Sequence, residues 1–157
     1  MAKLRGVAID FVDAAPVRWV FEGVVAAGRD RVFGAVSGDA KAWSDWFPGV
    51  SDGGYDGDPR LGARRWVRAN GVRFDETVIA WDEPARWAFR VDETVAPLAA
   101  ALVEQWTFED RDGSTLVRWT FAAEPRVAMR VAAPVMRRTM QRLFDRAMSN
   151  LSKRLSD

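Results

Sequence analysis

The chain has 157 residues, 48% hydrophobic and 29% charged, with 23 basic against 22 acidic side chains; this is the balance of one folded domain burying roughly 70% of its unfolded surface, not of a disordered chain. It contains no His and no Cys, which removes disulfides, thiolate nucleophiles, His or Cys zinc sites, Cys-held iron–sulfur clusters and every His-dependent triad. Eight Trp and nine Phe against one Tyr favour buried apolar area and pockets for apolar ligands.

Asp10 and Asp13 interrupt the apolar stretch after Lys3 and Arg5, so no signal-peptide core forms, and no apolar run approaches the ~20 residues of a membrane span. A cytoplasmic location without integral membrane association is expected, in a single domain over residues 1–157 whose first 15 residues form an extension. From Pro16 to Val25, Val17, Trp19, Phe21, Gly23 and Val25 alternate with Arg18, Val20, Glu22 and Val24, the period of a strand. Gly34, Gly38 and Pro48 then break the chain into two short helices, with Asp30 and Asp39 as caps. Residues 48–62 hold five Gly and two Pro and are mostly turn, with a short strand around Ser51 to Tyr55. Asp52, Asp56 and Asp58 in this stretch lack the spacing of a calcium loop; no metal site and no cofactor are expected.

Five strands follow: Ala63 to Ala69, Val72 to Trp81, Arg86 to Thr94, Ala101 to Glu109 and Thr115 to Ala123. Asn70-Gly71, Asp82-Glu83-Pro84 and Asp110 to Gly113 turn them back on one another, and a wider link runs from Val95 to Ala100. From Pro125 to Asp157 the period becomes helical. Met129, Met136, Met140, Leu143, Phe144, Ala147 and Leu151 fall on one side, and Arg138, Arg142, Arg146 and Lys153 on the other. Pro134 either kinks this helix or sits in its first turn. Between Pro125 and Arg154 there are eight basic residues and one acid. That face is read as solvated and paired with acidic loops, the alternative being a surface for an anionic partner; no nucleic acid partner is expected. The elements pack as an α+β fold, a curved antiparallel sheet wrapped around the last helix.

The strand VRWVFEGVVAA leading into RDRVFGAVS, the segment SDWFPGV at 44–50, Gly62 before a strand, FDETVIAWDEPARWAFRV at 74–91, GSTLVRWTF at 113–121 and the closing LFDRAMSNLSKRL together resemble the START-like, or SRPBCC, superfamily, in particular its polyketide cyclase/dehydrase and lipid-transport branch. The resemblance implies a helix-grip fold, with a seven-stranded sheet around a long C-terminal helix and a cavity for lipids, sterols, polyketides or other apolar molecules. It also implies that Trp43, Trp46 and Phe47 flank the cavity entrance.

Alternation gives the inward rows as the more apolar ones. Two carboxylates stand in such rows: Glu76 between Phe74 and Val78, and Glu104 between Leu102 and Trp106. On an apolar face a carboxyl is desolvated and becomes a usable acid near neutrality; alternatively each is ion-paired, with Arg64, Arg68, Arg73, Arg90 and Arg118 at hand, or turned to solvent by a one-residue register error. The expected ligand-facing set is Trp66, Phe74, Glu76, Phe89, Glu104, Trp106, Trp119, Met136 and Met140, with Glu76 and Glu104 the catalytic candidates. Binding of a hydrophobic lipid or polyketide-like molecule is the first functional expectation. A polyketide aromatase/cyclase using these carboxyls with Arg or Tyr55 is the second, and an interaction module resembling chaperone activators is the third.

Overall fold

A computed structural model describes residues 1–156. Its strands are β1 (Ala2–Lys3), β2 (Val17–Val25), β3 (Val50–Asp56), β4 (Arg64–Ala69), β5 (Val72–Asp82), β6 (Arg86–Thr94), β7 (Ala99–Arg111) and β8 (Ser114–Pro125). Its helices are α1 (Phe11–Ala14), α2 (Arg29–Ser37), a 3-10 helix at Lys41–Asp45, and α3 (Val127–Leu155). Seven strands form one antiparallel sheet in the order β2-β8-β7-β6-β5-β4-β3, and β1 adds an eighth by pairing with β6. This is the expected helix-grip architecture, with one strand that the sequence pattern did not show.

Turn chemistry sets the register. Asn70 and Gly71 both have positive φ, 52° and 78°, the geometry of a two-residue hairpin turn, and they pair Ala69 with Val72. Asp112 and Gly113 repeat it with φ of 53° and 91°. The turn is therefore shorter than expected, and β7 and β8 extend to Arg111 and Ser114. Asp39 accepts a hydrogen bond from the Lys41 amide at 2.9 Å and opens the 3-10 helix, whereas Asp30 lies in the first turn of α2 without capping it.

Helix α3 covers the concave face, packing on β2 and β8. Gly23 of β2 permits the approach: a Cβ there would stand 2.8 Å from Met148 Cγ. Pro134 lies at the eighth position of the 29-residue helix, inside it and beyond the first turn. The main core gathers between sheet and helix around Phe21, Trp106, Phe144 and Leu151, each at most 1% exposed. A smaller cluster on the convex face seats residues of the N-terminal segment, including Val12, Val7 and Phe11, against Val103 and Ala122.

Candidate ligand cavity

The ladder between β6 and β7 runs only from Arg86↔Thr107 to Arg90↔Val103. Beyond it the N-terminal segment spans the two strands. Ala2 and Lys3 pair with Thr94 and Glu93, the Leu4 amide donates to Asp92 O at 2.8 Å, and the Arg5 amide donates to Ala100 O at 2.8 Å. Arg5 also pairs with Glu124 on β8. Leu4 is turned inward and completes the wall of a cavity of about 540 Å³ between sheet and α3, with Val91, Leu102, Phe121, Met129 and Met136. A second chamber of about 330 Å³ adjoins it, because Val72, Phe74, Val91, Glu104, Phe121 and Met136 line both. These volumes are in the range of small-molecule sites.

Glu104 stands at the junction. Trp106 pairs with Trp119 across β7 and β8, so Glu104 is two residues away on the same face, and the Trp119 indole N–H donates to its Oε1 at 2.7 Å. Glu104 is half-buried, and the surface it keeps lies on the cavity wall. Burial pushes its carboxyl up to about 7, while the Trp119 hydrogen bond and the Arg65 charge pull the other way. A carboxyl raised this far reaches its protonated form near neutrality, where it can donate as well as accept a hydrogen bond.

Glu76 is buried against Arg65, whose Nη1 donates to both carboxylate oxygens at 3.0 and 2.7 Å. Desolvation raises the Glu76 carboxyl to about 8, offset in part by Arg65, with Glu104 adding repulsion. The Arg65 guanidinium lies 4.7 Å from the Trp43 ring centroid, 5.1 Å from Trp87 and 5.3 Å from Phe89; its Nε and Nη2 have no hydrogen-bond partner. The rings supply cation–π attraction in their place. Arg65 is not among the arginines expected beside Glu76. The signal was present, since a two-residue turn at Asn70-Gly71, counted back along both strands, sets Arg65 opposite Glu76.

Phe74, Glu76, Phe89, Glu104, Trp119, Met136 and Met140 line the chambers. Two expected ligand-facing residues sit elsewhere. Trp66 has the parity opposite to Arg65 and Val67 and faces outward, with the Arg73 guanidinium 4.5 Å from its ring. Trp106 is fully buried, stacked on Trp119 at 5.6 Å, and belongs to the core beneath the wall. Of the segment expected at the entrance, Trp43 and Phe47 line the second chamber; Trp43 lies 4.7 Å from Trp46 and 5.4 Å from Phe47, and Trp46 is 1% exposed. Exposed wall occurs at the β6–β7 loop, where Val95 is 59% and Leu98 44% exposed. Tyr55, considered for proton transfer, donates its hydroxyl to Ser37 O at 2.7 Å, and burial raises its pKa to about 12. Among the described residues no group of three or more carboxylates is placed to hold a metal ion.

The architecture is shared with solved structures of low sequence similarity. A START superfamily protein from Mycobacterium smegmatis is 16% identical, with a TM-score of 0.67 over 88% of this chain and 96% of that one. A protein from Nitrosospira multiformis is 22% identical, with a TM-score of 0.68 over 90% and 97%. Ginseng major latex-like protein 151 from Panax ginseng is 13% identical, with a TM-score of 0.62 over 82% and 95%. Among curated proteins none matches. The model of the family described as polyketide cyclase / dehydrase and lipid transport matches residues 16–156, and the chain, with its helix-grip fold and the cavity that this fold encloses, belongs to that family.

Proposed function

We propose that the protein binds an apolar small molecule carrying one hydrogen-bonding group, held between the sheet and α3 with that group at Glu104. The observation that supports this most is a cavity of about 540 Å³ whose wall is apolar except for Thr94 and a single ionisable side chain, Glu104. Affinity comes from removing the ligand's apolar surface from water, at roughly 25 cal/mol per Å² before the costs of association. Orientation comes from Glu104, because a buried polar group left without a partner costs about 1–3 kcal/mol.

A second reading is favoured by the position of the Glu104 carboxyl near neutral pH. Such a group is suited to move a proton at a carbon next to a carbonyl, the step that begins enolisation and dehydration in a cyclase. Titration of an uncharged naphthalene fluorophore into the wild type and Glu104→Gln separates the readings from each other and from neither. Saturable binding displaced by long-chain ligands is expected. With a linear poly-β-ketone probe, recovery of the bound probe unchanged from the wild type favours carriage, and its cyclisation with loss of water by the wild type but not by Glu104→Gln, which still binds it, favours catalysis. No saturable binding by the folded wild type contradicts both.

A further inference from the structure

The second chamber differs from the first in having a cation in its wall. Arg65 and Glu76 both line it, and their side chains are each 1% exposed. Arg65 reaches Glu76 through Nη1 alone, and the Nε and Nη2 of the same guanidinium have no partner. Trp87 and Trp106, register partners across β6 and β7, contribute the other two unpartnered buried side-chain polar atoms among the described residues, their indole nitrogens. All four are N–H donors, so this part of the interior is short of an acceptor. The rings around Arg65, including Tyr55 with its centroid at 5.9 Å, attract the charge and leave the two N–H groups without one.

Water would bring an acceptor together with two further donors, whereas an anionic oxygen brings acceptors only. Nε–H and Nη2–H lie parallel on one edge of the planar guanidinium, and a carboxylate fills that fork with its two oxygens. We propose that this edge of Arg65 is a subsite for a carboxylate, so that the ligand is an apolar acid with its acidic end in the second chamber and its apolar body passing Glu104 into the first. This rests on the cavity reading above and narrows it to one ligand class. Two carboxylates do not both stay ionised against one buried cation, so Glu76 takes up a proton as the ligand's carboxylate enters. Burial already raises Glu76 to about 8, and Glu104 of β7 and Asp92 of β6 add repulsion. Tyr55 of β3, raised to about 12, stays neutral throughout, and α3 offers this chamber only Met136, Met140 and Leu143.

The test is the ratio of dissociation constants for dodecanol and dodecanoate, which share a tail and differ in the head, measured on the full chain by displacement of the naphthalene fluorophore. At pH 7 the wild type is expected to prefer dodecanoate by about tenfold or more, from two charge-assisted hydrogen bonds that the alcohol does not make. Above about 8, binding has to place a proton on Glu76, and the preference falls by about tenfold per pH unit. Glu76→Gln keeps a carbonyl for Arg65 Nη1 and needs no proton. At pH 9 its preference for dodecanoate is therefore expected to exceed that of the wild type by about tenfold, a gain that a purely structural ion pair does not give. Replacing the pair together, Arg65→Met with Glu76→Met, leaves no buried charge unpaired; it is expected to abolish the preference while dodecanol still binds, with circular dichroism verifying the fold. The proposal is overturned if the wild type binds dodecanol as tightly as dodecanoate at pH 7, if Glu76→Gln shows no gain at pH 9, or if the folded double variant keeps the preference. Each of these leaves the cavity reading standing, because dodecanol is bound; binding of neither probe by the folded wild type defeats the cavity reading itself, and the subsite with it.

Discussion

Glu104 carries a pH signature that can be measured without knowing the ligand. Its carboxyl is raised from the ordinary 4.5 to about 7 on folding, so between those values the folded state binds more protons than the unfolded state. Its contribution to stability is therefore full below about 4.5 and is lost as pH rises through about 7. Glutamine keeps a carbonyl to accept the Trp119 N–H and has no such titration. Glu104→Gln should therefore gain stability relative to the wild type as pH rises from 5 to 8, read as the difference between the two denaturation midpoints. A pH-independent difference would mean that the carboxyl titrates in its ordinary range. Buried Glu76 is also raised, in part by repulsion from Glu104; Glu104→Gln removes that repulsion and lowers Glu76, which shifts the difference between the two proteins in the same direction. The inward position of both glutamates could be read from strand alternation alone. What alternation missed is the partner: the Asn70-Gly71 register places Arg65 opposite Glu76, and on its strand Arg65 is buried while Arg64 and Trp66 face the other way.

At the scale of elements, the long strands and α3 were legible because each carries several periods of its pattern. β1 was not, because two residues have no period; its place comes from the parting of β6 and β7, a tertiary feature. This strand yields its own prediction. Residues 2–5 seal the gap through the β1 pairing with β6, two further backbone hydrogen bonds and the buried Leu4, while the family match begins only at residue 16. Removing residues 1–5 should speed release of a bound fluorophore several-fold in stopped-flow displacement, with the association rate changed less, because such a change acts mainly on dissociation. Leu4→Ala, which keeps the backbone hydrogen bonds, should show a smaller effect in the same direction. Unchanged release in both variants would reduce the segment to a surface ornament. The entrance lies outside what local pattern could supply. Trp43, Trp46 and Phe47 are apolar rings between helix and strand, and only their mutual packing shows that they are interior.

For the molecule as a whole, the net charge of +1 conceals a division of labour. Acidic residues concentrate outside α3, while α3 carries the basic excess on the side turned away from the sheet and its apolar stripe into the core. The lack of His and Cys leaves the interior with few titratable groups, and the fold gathers two of them, Glu76 and Glu104, beside an apolar cavity. The central claim is that this cavity holds an apolar molecule, and native mass spectrometry of the protein purified from cells without organic solvent tests it most directly. A small-molecule adduct is expected that organic extraction removes and that the extracted protein takes up again from an apolar extract. A bare polypeptide mass, together with refusal of every apolar probe by the folded protein, would contradict it.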